Sequence, residues 1–116
     1  MSQANLEALV SEHPKSKRAL LKLQSLLSKH RPGSVITLEE LAREVPVESR
    51  SLAYALSLLE EAGILRRVYK VTTPSGVLAD AEFDDPREIP AQLPDVWEHY
   101  FDTSESDVVP VFKRVA

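Results

Sequence analysis

The sequence predicts an α+β fold in which a three-helix core is closed by a β-hairpin and followed by an extension holding a short helix and an extended segment. Three observations predict it. Apolar residues recur at spacings of three and four over 16–30, 38–45 and 49–62, the period of an amphipathic helix. From Ile64 to Thr73 β-branched and aromatic residues dominate, and after Pro74-Ser75-Gly76 the stretch Val77 to Phe83 alternates, which reads as an antiparallel hairpin. At 116 residues, 43% hydrophobic and 28% charged, the chain has the length and balance of one globular domain with one core.

Taken in order, residues 1–15 form an arm in which Asn5 to Val10 allows either a short helical turn or a terminus that is mobile or ordered by a partner, with Pro14 following. Ser16 to His30 carries Ala19, Leu20, Leu23, Leu26, Leu27 and His30 on one helical face and ends at Arg31-Pro32-Gly33. Val35-Ile36 is a short extended pair. Thr37-Leu38-Glu39-Glu40 is a capping box, in which Thr37 receives the Glu40 N–H and Glu40 reaches back to the Thr37 N–H. The helix it starts turns Leu38, Leu41, Ala42 and Val45 inward and stops at Pro46. A third helix, about 49–62, has the stripe Leu52, Leu56 and Leu59 and ends at Gly63, which supplies the left-handed stop.

The hairpin, 64–83, closes the domain expected over 16–83. Residues 84–116 form an acidic and aromatic extension packed on the same domain: a proline-punctuated connector, then a helix in which Val96, Trp97, Tyr100 and Phe101 share one face. Its last segment, Val108 to Val115, contains Pro110, which limits it to an edge strand or an extended arm.

Charge is graded along the chain. Up to residue 33 there are six Lys/Arg against two Asp/Glu (net +4), over 34–76 five against six (net −1), and from 77 on three against ten (net −7). Any surface for nucleic acid must therefore come from the first two-thirds, because affinity for phosphates rests on cations. With no cysteine there is no disulfide, thiolate metal site or thiol nucleophile, which suits a reducing compartment. No apolar run is long enough to span a bilayer, and the start lacks the basic and apolar regions of a signal peptide, so a cytoplasmic location without membrane contact is expected.

The segment "ITLEELAREVPVESRSLAYALSLLEEAGIL", with the hairpin after it, resembles the winged helix-turn-helix superfamily. The likeness rests on "LAREV", the short turn, the helix ending "LLEEAG" and the hairpin, and covers about Ser16 to Phe83. It implies that Leu38 to Val45 is a support helix, that about 49–62 is a recognition helix whose N-terminal half enters the major groove, and that 64–83 is the wing. Double-stranded DNA would then meet Ser49, Arg50, Ser51 and Tyr54 at the groove, with Lys17, Arg18, Arg66, Arg67 and Lys70 on phosphates. The chain departs from the pattern at Tyr54, Ser57 and Leu58, where DNA-binding members commonly carry Arg or Lys, and at Pro46, where glycine is common. The wing tip also lacks a cation.

Two functions stay open on this basis. One is a small DNA-binding transcriptional regulator. The other is a protein-interaction module of a larger assembly, using Leu58, Tyr54 and the aromatics Trp97, Tyr100 and Phe101 as contact face, either folded back on the chain or anchoring a homodimer. Enzymatic chemistry, a cofactor and a metal are not expected. His13, His30 and His99 are far apart in sequence, and there is neither a nucleophile elbow nor a phosphate-cradling glycine loop.

Overall fold

The structure, a computed structural model, describes residues 3–115, with side chains from Leu6 onward. The first two residues of the expected arm and Ala116 of the extension lie outside the described residues. The order is α1 (Gln3–Glu12), a 3-10 turn (Pro14–Ser16), α2 (Lys17–Leu27), β1 (Val35–Thr37), α3 (Leu38–Glu44), α4 (Ser49–Glu61), β2 (Leu65–Val71), a second 3-10 turn (Pro86–Glu88), β3 (Gln92–Pro94), β4 (Tyr100–Asp102) and β5 (Val108–Arg114). The fold is α+β. It divides into two compact units, one made of residues 1–66 with 112–116, the other of 67–111, and β2 and β5 run through both.

In the first unit, α2 packs against α1 and α4, and α3 against β1. Leu6, Leu20, Leu23, Leu27, Ile36, Leu41, Leu56 and Leu59 are buried in one cluster, joined by Phe112 of β5. Each such side chain contributes up to about 1.5–3 kcal/mol relative to exposure, so this cluster dominates the unit's stability. The segment left open between helix and arm is settled by Leu6. Its burial docks α1 on the core.

Local signals hold for the helix ends. The Thr37 hydroxyl accepts the Glu40 N–H at 3.1 Å, but no bond returns from the Glu40 carboxylate, so half of the capping box forms. Leu38 and Ala42 are exposed rather than inward, because Leu41 and Val45, four residues apart, already set the buried line of this seven-residue helix. α2 ends at Leu27, short of His30, as its last turn tightens through Lys29 N–H to Leu26 C=O (3.1 Å) and His30 N–H to Leu27 C=O (3.0 Å). Gly63 follows α4 at φ 74°, the left-handed stop the sequence called for.

The hairpin differs from expectation. Val77 to Phe83 is not a strand; it meets β2 and the residue after it through isolated bridges, Tyr69 with Phe83 and Thr72 with Leu78, and through Ala79 N–H to Val71 C=O at 2.8 Å. The strand that returns along β2 is β5. Thr72 N–H bonds to Asp107 C=O and Val115 N–H to Ile64 C=O, both at 3.0 Å, which makes the pair antiparallel. Sheet order is β1-β5-β2, so β5 is central, not an edge strand. Just ahead of β1, Gly33 N–H bonds to Arg114 C=O (2.7 Å) and Arg114 N–H to Ser34 C=O (3.3 Å), at the end of β5 away from Pro110. The Arg114 guanidinium in turn donates to the Leu27 carbonyl (3.0 Å) and to that of His30, satisfying the C-terminal end of α2.

In the second unit the expected tight turn at Pro74-Ser75-Gly76 does form. Thr73 closes it, its N–H and its hydroxyl both donating to the Val77 carbonyl at 2.7 and 2.9 Å. The helix expected through Trp97 does not exist. β3 and β4 form an antiparallel hairpin there, in the register Gln92 to Asp102, Leu93 to Phe101 and Pro94 to Tyr100. The Asp95 carboxylate accepts the Trp97 and His99 N–H groups at 2.8 and 2.9 Å, taking them from a helical ladder, and Glu98 turns the chain at φ 64°.

Candidate functional site

The site is built where α4 begins. Pro46 ends α3, Val47 N–H bonds to Val45 C=O at 2.8 Å, and Leu52 N–H reaches Glu48 C=O at 2.9 Å, so the helix winds from Ser49 on. With Leu52, Ala55, Leu56, Leu58 and Leu59 buried, Ser49, Arg50, Ser51, Tyr54 and Ser57 are exposed, as are Ala53 and Glu61. This is the same face the sequence assigned to the groove. Leu58 does not belong to it. At 6% exposure it is a core residue, because the buried arc of α4 is wider than the stripe of Leu52, Leu56 and Leu59.

The turn before α2 packs on this end of α4. Tyr54 Oη lies 3.4 Å from His13 Nδ1, and the two rings meet edge to face with centroids 6.0 Å apart. Around that contact an open cleft of about 510 Å³ is lined by Glu12, His13, Pro14, Lys15, Ser16, Arg50, Ser51 and Tyr54. A second, of about 280 Å³, is lined by Lys15, Arg18, Pro46, Val47, Glu48 and Ser51 among others. Lys15 and Ser51 border both, so the cations Lys15, Arg18 and Arg50 share one face with the carboxylates Glu12 and Glu48. Lys17 is exposed at the start of α2 but lines neither cleft, and Lys22 lines a separate hollow with Lys29 and Glu44.

The remaining site residues are not all placed together with these. Arg66 and Arg67 are exposed on β2 and each is already engaged in an interaction. The Lys70 ammonium donates to the Ala79 carbonyl at 3.4 Å, across the turn that follows β2. Trp97 and Tyr100 stand 66% and 71% exposed on the β3–β4 hairpin, with Phe101 half-buried, so they form no lid packed on the chain. Comparison with protein-family models, with curated proteins and with solved structures found no match to this chain.

Among the described residues no group of three or more His, Asp or Glu is placed to hold a metal ion, and no helix is long and apolar enough to cross a membrane. Asp85 and Asp102, both in the second unit, have lowered pKa values. Asp85 is held down by the Arg87 side chain and then by the Arg87 N–H, and Asp102 by the Ser104 N–H and then its side chain. Neither touches the clefts. His13 was not expected at the site, and Pro14, which separates α1 from α2 in a turn packed on α4, was the signal for it.

Proposed function

We propose that the chain is a winged helix-turn-helix protein that binds double-stranded DNA, a small cytoplasmic regulator rather than an enzyme. One observation carries the reading: Lys15, Arg18 and Arg50 border adjoining clefts at the exposed N-terminal end of α4. Support for the fold comes from the order helix, strand, helix, turn, helix and then two long paired strands, with β5 in the role of the wing's return strand. In this reading the first turns of α4 enter the major groove. Arg50 takes a guanine edge or a phosphate, Ser49, Ser51 and Tyr54 bond to phosphates, and Lys15, Lys17 and Arg18 flank them on the backbone. Arg66, Arg67 and Lys70, assigned to phosphates from the sequence, are not needed for it.

Arg50→Glu is the direct test. Arg50 is exposed in the first turn of α4, where a carboxylate suits the helix dipole, so the fold should survive the change. Fluorescence anisotropy with a labelled duplex should then show binding by the native chain and its loss in the variant. Equal binding by both would remove α4 from the interface.

A second reading, a protein-interaction module, is favoured by the exposure of Trp97 and Tyr100 on the β3–β4 hairpin. Its contact surface would be that hairpin and not Leu58, and a second copy of the chain docked there would give the two-fold arrangement that palindromic DNA sites require. Light scattering on the native chain and on Trp97→Ala tests it. A dimer mass that falls to the monomer in the variant supports the reading, and an unchanged mass removes it.

A further inference from the structure

We propose that the cleft between the 12–16 turn and α4 is a binding site for a small organic anion bearing a single carboxylate and an apolar body. Its volume of about 510 Å³ falls in the range of small-molecule sites, roughly 300–1,000 Å³, and far exceeds what an inorganic ion fills. Among the residues lining it, Lys15 and Arg50 oppose Glu12, which leaves a formal charge of +1, matched by one negative charge. Pro14 and the rings of His13 and Tyr54 supply apolar and aromatic walls.

Ser16 marks the cleft as more than a charged surface. It is 93% buried at a relative exposure of 7%, sits at the N-cap of α2 without making the capping bond, and its hydroxyl has no hydrogen-bond partner among the described residues. Among the described residues no buried side-chain oxygen is both sealed from solvent and unpaired, so this hydroxyl keeps an opening, and the cleft that Ser16 lines is where a ligand oxygen can meet it. The start of α4 adds a second donor set: Glu48 makes no side-chain cap, which leaves the first N–H groups of a thirteen-residue helix open beside Arg50 and Ser51. This inference does not rest on DNA binding.

The test is an NMR titration of the ¹⁵N-labelled full chain with sodium benzoate, in the absence of nucleic acid. Amide signals of Ser16, Arg50, Ser51 and Tyr54 should move together along one saturating curve. Arg50→Gln should weaken binding by about tenfold, the loss of one charge-assisted bond. Ser16→Ala should weaken it severalfold at little cost in stability, since its hydroxyl makes no capping bond and meets no partner among the described residues. Lys29→Gln, an equal charge change outside the cleft, should leave affinity unchanged, and inorganic phosphate and neutral benzyl alcohol should each bind more weakly than benzoate. The proposal is overturned by shifts that rise linearly or centre elsewhere, by equal effects of the Lys29 and Arg50 variants, or by phosphate or the alcohol binding as well as benzoate.

Discussion

Tyr54 on α4 and His13 ahead of α2 touch at both their rings and their polar atoms, with Oη 3.4 Å from Nδ1 and an interplanar angle of 74°. The contact ties the turn that carries Lys15 to the helix that carries Arg50, and so holds the two cations on one face. Because the pair is solvent-exposed, Tyr54→Phe should cost under about 1 kcal/mol in urea unfolding while leaving the T-shaped packing in place. A much larger loss would mean that the hydroxyl has a structural role that this contact does not explain.

Leu58 gives the opposite expectation. As a core side chain at 6% exposure, its replacement in Leu58→Ala should destabilise the fold by about 2–5 kcal/mol, read as a lower urea midpoint at unchanged slope. A neutral substitution would restore Leu58 to the surface role that the sequence assigned it.

Thr37→Ala removes the oxygen that accepts the Glu40 N–H at 3.1 Å, and should cost about 1 kcal/mol, with Thr37→Ser recovering most of it. Equal stability of all three would show that the start of α3 is held by tertiary packing alone.

The pairing of Asp85 with Arg87, 2.6 Å from carboxylate to guanidinium, keeps the Asp85 carboxyl below its ordinary value of 3.8. A depressed folded-state pKa gives stability that is present above 3.8 and lost as pH falls through the lower folded value, so the window lies on the acid side of that point. Side-chain NMR titration should place Asp85 below 3.8 and Arg87→Gln should return it toward 3.8. Arg87 is solvent-exposed and Asp85 half-buried, so water screens the pair and global stability should change little.

Much of the first unit was legible because its signals are local. The spacing of Leu20, Leu23 and Leu27, the cap at Thr37 and the stop at Gly63 act within a few residues, and the three helices formed there, α2 ending three residues short of His30. What was not legible depended on partners distant in sequence. Val77 to Phe83 alternates as a strand should, yet β2 pairs instead with β5, which begins some 37 residues past the end of β2 and brings Val111 and Phe112 into burial. Val96 to Phe101 has helical spacing, but two bonds to the Asp95 carboxylate decide a turn. For the candidate site, Arg50, Ser51, Tyr54 and Arg18 were found by their outward positions. His13 was not, because only the folding of the Pro14 turn onto α4 brings it near.

If the organic-anion cleft and the DNA face are both as proposed, they share Arg50, Ser51 and Tyr54, so benzoate should weaken duplex binding competitively. The apparent dissociation constant for DNA should rise linearly with free benzoate. Binding of both at once, with no change in either affinity, would separate the two surfaces.

The central claim is that cations around the start of α4 bind a DNA backbone. Its most direct measurement is the affinity of the full chain for a labelled duplex as a function of salt. With Lys15, Lys17, Arg18 and Arg50 each neutralising one phosphate, log affinity should fall against log salt with a slope of roughly −3 to −4. No binding at low salt, or an affinity indifferent to salt, would contradict the account.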